Sequence, residues 1–153
     1  MILLVDFERA FDSVSWSFMY KALYFFQLWS RYYQMGENFI SDANLCIIKN
    51  GIFSEFFNIG IGCRQGHPVS PYLFNICVEI MGILIRQNKN IKGIYIVKEF
   101  CLFQYADDTI LFLDGTEKTL NSALDLLFQF SKFSGLNPNI GKPIYCTWDK
   151  IQF

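Results

Sequence analysis

A chain of 153 residues, 52% hydrophobic and 18% aromatic, has the length of one domain and enough apolar mass for a core, which excludes a disordered tail. Its formal charge of −1 offers no general attraction for a polyanion, so charge alone does not point to nucleic acid; either the partner is something else, or the basic surfaces belong to parts of a protein that this chain lacks. Glu79, Arg86 and Asp114 interrupt the most apolar stretches before any reaches membrane-spanning length, and Asp6 ends the opening apolar run too early for a signal peptide.

Ile2 to Val5 is a short apolar, partly β-branched run that reads as a buried strand, with Asp6 at its C-terminal end. Ser15 or Ser17 caps a predicted helix whose Met19, Ala22, Leu23 and Phe26 share one face. A less regular helix is expected from Ser30 to about Asp42. β-Prone runs around Leu45 to Ile48 and Ile52 to Ile59 flank Asn50-Gly51, the favoured pair for a two-residue type I′ hairpin.

After the Gly-rich stretch from Gly60 to Gly66, Ser70 reads as an N-cap with Pro71 at the first helical position. The helix it opens runs to about Asn88, with Leu73, Ile76, Cys77, Ile80, Met81 and Leu84 on its apolar stripe. Gly93 to Val97, Phe100 to Gln104 and Thr109 to Leu113 read as strands, which leaves Asp107 and Asp108 in a turn. Thr116 starts another helix, with Leu120, Leu124, Leu127 and Phe128 buried and Gly135 just past its end, and a last strand is expected near Asn139 to Cys146. With no repeats, low-complexity stretches or linkers, residues 1–153 are expected to form one α+β domain, helices packed on one face of a mainly antiparallel sheet.

The five cysteines, Cys46, Cys63, Cys77, Cys101 and Cys146, form no CxxC pair and sit mostly in apolar runs, as packed reduced thiols do. An intracellular, soluble protein is expected. Seventeen phenylalanines are hard to hide in so short a chain, and some are expected to face a neighbouring domain.

Adjacent carboxylates repel, so a site that keeps Asp107 and Asp108 both ionised is best stabilised by a divalent cation. Ala-Asp-Asp alone is better explained as a solvated turn, since Asp is common in turns and so short a motif is weak evidence. Asp6 shifts the balance, because it too follows a strand and a neighbouring strand would bring it beside Asp107. Three carboxylates suit Mg²⁺, and two such ions about 3.5–4 Å apart can activate an attacking hydroxyl and stabilise the leaving oxygen in phosphoryl transfer. His67 is the one histidine, which excludes a His-rich zinc site, and no P-loop lysine motif is present.

Leu4 to Trp16 (LVDFERAFDSVSW) resembles the first catalytic motif of reverse transcriptases of the non-LTR (LINE) retrotransposon type. Gly62 to Phe74 (GCRQGHPVSPYLF) resembles the second, Gln104 to Gly115 (QYADDTILFLDG) the third, and Ser134 to Lys142 (SGLNPNIGK) the motif after it. Four motifs in the family's order cover nearly the whole chain. The resemblance implies a polymerase palm that uses two Mg²⁺ ions, with Mn²⁺ as a possible substitute, to add deoxynucleotides to a DNA primer 3′-hydroxyl on an RNA template. It implies that Asp6 and Asp107 are the main metal ligands and that Asp108 completes the acidic pair. Phe11 matches the aromatic under the incoming sugar, Arg64, Gln65 and Gly66 match the loop over the nucleotide and template base, and Lys142 matches a lysine near the triphosphate. Core packing for Phe11, and solvated charge for Arg64 and Lys142, are the structural alternatives.

Two residues depart from the pattern: His67 stands where Asp or a small residue is usual, and Pro138 where a β-prone one is, which removes a strand hydrogen bond unless that strand is at an edge. By resemblance, fingers are expected before residue 1, a thumb after residue 153 and an endonuclease elsewhere, so that Met1 falls inside the first catalytic strand, as from a start codon within an older reading frame. The chain alone is then expected to bind nucleic acid weakly and to be inactive. Two alternatives stay open: a non-catalytic remnant of a retrotransposon reading frame, and a palm sheet that holds RNA without catalysis.

Overall fold

Strand β1 (Ile2–Val5) occupies the interior of a four-stranded sheet, between β10 (Ile144–Cys146) and β9 (Asp108–Phe112), with β8 (Leu102–Tyr105) beyond β9. Every pairing in it is antiparallel. The computed structural model of the protein describes residues 1–28, 44–95, 99–139 and 144–146. The helix expected from Ser30 to Asp42 lies outside the described residues.

Alternation along the strands separates two faces of the sheet. Leu3, Val5, Thr109 and Leu111 are buried, whereas Leu4, Ile110 and Phe112 are only half-buried and Phe103 and Tyr105 are exposed. The buried face meets three helices. These are α2 (Trp16–Phe25), α3 (Ser70–Gln87) and α4 (Glu117–Ser134); a single turn, α1 (Ala10–Ser13), links β1 to α2. Phe74, Met81, Met19 and Phe130 are fully buried between these layers, each contributing about 1.5–3 kcal/mol through loss of water contact. The described architecture is the expected α+β one, helices on one face of an antiparallel sheet.

The buried stripe of α3 is rotated from the expected one: Leu73, Phe74, Cys77, Val78, Met81, Gly82 and Ile85 face inward, while Ile76 and Ile80 are half-buried and Leu84 is exposed. The helix is apolar around most of its circumference, so its pattern does not fix its rotation. Gly82 does, because the side chains of Leu102 and Gln104 on β8 lie over it and fill the space a Cβ would take. On α4, Thr119, Ala123, Leu127, Phe130 and Ser134 are buried and Phe128 is exposed, with Leu120 and Leu124 half-buried. The hydroxyls on that face are satisfied locally: Thr119 accepts from Thr116 Oγ1 at 2.9 Å, and Ser134 Oγ donates to the Phe130 carbonyl at 2.7 Å.

Cap assignments divide. Thr116 caps α4 and Gly135, at φ 80°, ends it as expected, but Ser15 makes no cap bond and its hydroxyl meets Ser17 instead. Ser70 is the first residue of α3, not its cap.

The Asn50-Gly51 hairpin forms as expected, with φ 53° and 79° at its two turn residues, between β3 (Ile48–Lys49) and β4 (Ile52–Phe53). Its outer strands β2 (Asn44–Leu45) and β5 (Phe57–Asn58) pair in a shifted register, because Cys46 and Ile47 face three residues, Ser54 to Phe56. A smaller ladder joins β6 (Ile94–Tyr95) to β7 (Glu99–Phe100).

Candidate active site

Asp6 follows β1 directly, and the register Val5 with Thr109 makes Asp6 and Asp108 the next positions opposite each other. Val5 and Phe7 are buried on either side of the exposed Asp6, and Thr109 is buried beside the exposed Asp108, so both aspartates sit on the open face of the sheet. Asp107 is half-buried in the two-residue loop Ala106-Asp107 that joins β8 to β9. Asp108 is therefore the first residue of β9, paired with Tyr105, rather than a turn residue as expected. Ala106 takes φ 52°, a conformation costly for a residue with a Cβ, and so the acidic loop stores local strain.

The backbone thus brings Asp6, Asp107 and Asp108 to one end of the sheet. Their side chains make no hydrogen bond or ion pair among the described residues, and no three His, Cys, Asp or Glu side chains there stand together as a metal cage. The donor chemistry fits a hard cation nonetheless, since all three offer unpartnered carboxylate oxygens. Mutual repulsion keeps such groups apart, and a shared cation is what would draw them together.

A second part of the site is the loop from Gly60 to Val69, stitched to the segment after Asp6. Gly62 N–H donates to Val14 O at 2.8 Å, Cys63 N–H to Phe11 O at 2.6 Å, and Trp16 Nε1–H to Gly62 O at 2.7 Å. Gln65 Nε2 donates to Asp12 Oδ1 at 2.8 Å. Ser70, buried, donates its hydroxyl to Arg64 O at 2.6 Å and so ties the loop to the start of α3. Gly66 has φ 80° and nothing within 4 Å of where a Cβ would be, and the Arg64 side chain is exposed. Phe11 is half-buried, its ring stacked on that of Phe74 at 4.3 Å between centroids. Lys142 lies outside the described residues.

A cleft of about 760 Å³ opens between this loop, Asp12, Trp16 and Leu45 at the base of the hairpin. Another of about 740 Å³, lined by Arg86, Lys89 and Lys92, borders Leu102 at the other end of β8, away from the aspartates. Burial, and secondarily the Asp12 carboxylate, push the Cys63 thiol up to about 11. Asp12, Trp16, Gly62 and Ser70 hold the loop in place, and none was assigned that role from sequence. Gly62 alone carried a local signal, its place in a Gly-rich run; the Asp12–Gln65 contact joins positions no spacing rule connects.

Residues 1–151 match the family model for "Reverse transcriptase (RNA-dependent DNA polymerase)". The chain belongs to the reverse transcriptase family. It is 29% identical over 139 residues to the "Retrovirus-related Pol polyprotein from type-2 retrotransposable element R2DM" of Drosophila melanogaster, covering 90% of this chain and 13% of that protein. It is 25% identical over 144 residues to the corresponding "type-1 retrotransposable element R2" polyprotein of Popillia japonica, covering 94% of this chain and 20% of that one. The chain therefore spans a fifth or less of these relatives, which support the non-LTR type. Among solved structures, an apo telomerase from Candida tropicalis truncated from its C-terminal domain superposes with a TM-score of 0.65 at 14% identity, covering 94% of this chain and 30% of that one, a likeness of fold.

Reverse transcriptases use divalent metal ions and act on nucleic acid templates. No helix among the described residues is long and apolar enough to cross a membrane. The two departures from the family pattern have local explanations. His67 Nδ1 accepts the Val69 N–H at 3.2 Å, the role an aspartate carboxylate plays at the same distance in sequence. Pro138 bridges Phe7 while its neighbours make the bonds, Asn139 N–H to Asp6 O at 2.8 Å and Glu8 N–H to Asn137 O at 3.0 Å, so no N–H is missed.

Proposed function

We propose that residues 1–153 are the palm of an RNA-directed DNA polymerase which, with the rest of its polymerase, adds deoxynucleotides to a DNA primer 3′-hydroxyl on an RNA template. The observation that carries this reading is the register that sets Asp6 opposite Asp108, with Asp107 in the strained loop beside them. Asp6 and Asp107, with Asp108, would hold Mg²⁺. Bound there, Mg²⁺ supplies activation of the attacking hydroxyl and charge neutralisation at the triphosphate.

The chain's own residues position the reactants. Phe11, its ring stacked on Phe74, would supply a flat apolar surface for the incoming sugar and exclude a ribose 2′-hydroxyl. Gly66 leaves open space where backbone can approach the nucleotide, and Arg64 and Lys142 offer positive charge to the triphosphate. Phosphoryl transfer depends mainly on such positioning and charge stabilisation, so the palm alone is expected to bind nucleic acid weakly and to extend nothing.

The test is primer extension on an RNA template by a complete non-LTR polymerase carrying these residues as its palm, with Mg²⁺ or Mn²⁺. Extension that Asp107→Asn abolishes is expected. Extension unaffected by Asp107→Asn and Asp6→Asn would sink the assignment.

A further inference from the structure

The nucleotide loop is fixed on one side and open on the other. On the fixed side, Gln65 Nε2 donates to Asp12 Oδ1 at 2.8 Å, and Gly62 lies so near the Asp12 main chain that a Cβ would stand 2.8 Å from its carbonyl oxygen. A carboxylate only accepts hydrogen bonds, so the Gln65 amide must turn its nitrogen toward Asp12 and its Oε1 away. On the open side, nothing lies within 4 Å of a Cβ at Gly66, and the exposed Arg64 side chain has no partner among the described residues.

We propose that Asp12 is a positioning residue for the incoming nucleotide: by holding the Gln65 nitrogen it orients the amide and presents Oε1 to a hydrogen-bond donor on the nucleotide. This rests on the reading of the loop as a nucleotide site. Asp12 acts through Gln65 and touches no substrate. The role requires an acceptor at position 12, not a negative charge, and so asparagine, whose Oδ1 can accept the same bond, serves in its place.

The experiment is calorimetric titration of the full chain with dTTP and MgCl₂, using the unsubstituted protein, Asp12→Ala, Asp12→Asn, Gln65→Ala and the double variant Asp12→Ala with Gln65→Ala. Melting midpoints control for fold. Asp12→Ala and Gln65→Ala should each weaken binding roughly five- to tenfold, the size of the one neutral hydrogen bond that Gln65 Oε1 would make to the nucleotide. Asp12→Asn should restore most of the affinity, and the double variant should bind no more weakly than Gln65→Ala, because both changes remove one interaction. A purely structural role for Asp12 gives additive losses instead. Additive losses, an Asp12→Asn variant as weak as Asp12→Ala, or dTTP binding that Asp12→Ala leaves unchanged would overturn the inference alone. Absence of dTTP binding by the unsubstituted chain would overturn the nucleotide reading, and the inference with it.

Discussion

Gly62 lies against the main chain of Asp12, so close that a Cβ on Gly62 would stand 2.8 Å from the Asp12 carbonyl oxygen and 3.0 Å from its Cα. Gly62 also has φ 86°. Gly62→Ala therefore meets both a strained backbone and a backbone clash that cannot rotate away, and should cost about 3 kcal/mol. Gly66→Ala shares the positive φ but not the clash, and should cost about 1 kcal/mol. Urea unfolding midpoints of the two variants check the ordering; equal losses would remove close approach as the reason for Gly62.

Thr109 is 1% exposed, next to Asp108 in β9, and its Oγ1 has no hydrogen-bond partner among the described residues. Replacing that hydroxyl by a methyl of the same shape ends an unmet desolvation cost. Thr109→Val should stabilise the chain by about 1 kcal/mol, read from the denaturation midpoint. A destabilised variant would mean that the hydroxyl is satisfied.

Much of this fold can be read from residue pattern alone, and the failures have a common cause. Asn50-Gly51, Thr116 and Gly135 are local signals, and the structure bears each out because turn and cap geometry involve only near neighbours. The rotation of α3 and the role of Ser70 depend on what lies across the space, Gln104 in one case and the Arg64 carbonyl in the other. At the site, motif order located the aspartates, while the anchors of the loop at Asp12 and Trp16 rest on contacts between residues some fifty positions apart, as in the separation of 53 between Asp12 and Gln65. Such contacts leave no periodicity to detect.

Phe11 is half-buried on Phe74, a placement compatible with gating and with packing. In a complete polymerase carrying this palm, Phe11→Val should raise ribonucleotide incorporation relative to deoxyribonucleotide by roughly tenfold, the scale on which pocket size discriminates. Unchanged sugar selection accompanied by a lower melting temperature would assign Phe11 to packing.

Burial, then Asp12, pushes Cys63 up to about 11 from 9.0, and burial raises Cys77 as well. The folded chain holds these protons more tightly than the unfolded chain does, so their contribution is complete below pH 9.0 and is lost as pH rises toward 11. The melting temperature should fall from pH 8 to pH 10.5, and fall less in Cys63→Ala. A Cys63→Ala variant with the same fall would rule out this thiol as a source.

The hairpin carries Ile47, Ile48, Ile52, Phe53 and Phe56 exposed, with Ile52 and Phe56 each 74% accessible. With a net charge of −1 there is little repulsion to offset such a patch, and the purified chain should associate as its concentration rises. Light scattering should show association reduced in a variant carrying Ile52→Lys and Phe56→Lys. Equal association in both would place the sticky surface elsewhere.

The position of β1 sets the order in which the protein can take shape during synthesis. Its nearest backbone partners in sequence, Val5 and Thr109, are 104 positions apart, while the hairpin, α2 and α3 are all made before β9 exists. Closing so long a loop comes late, and it follows the contacts that short loops allow. Strand β1 is made before any of its described partners, and Asp6 can stand opposite Asp108 only once β9 has followed it. A nascent chain stalled before residue 108 would carry α1, α2, α3 and the hairpin but neither β9 nor α4, so the acidic end of the sheet is assembled only after those earlier elements have been made.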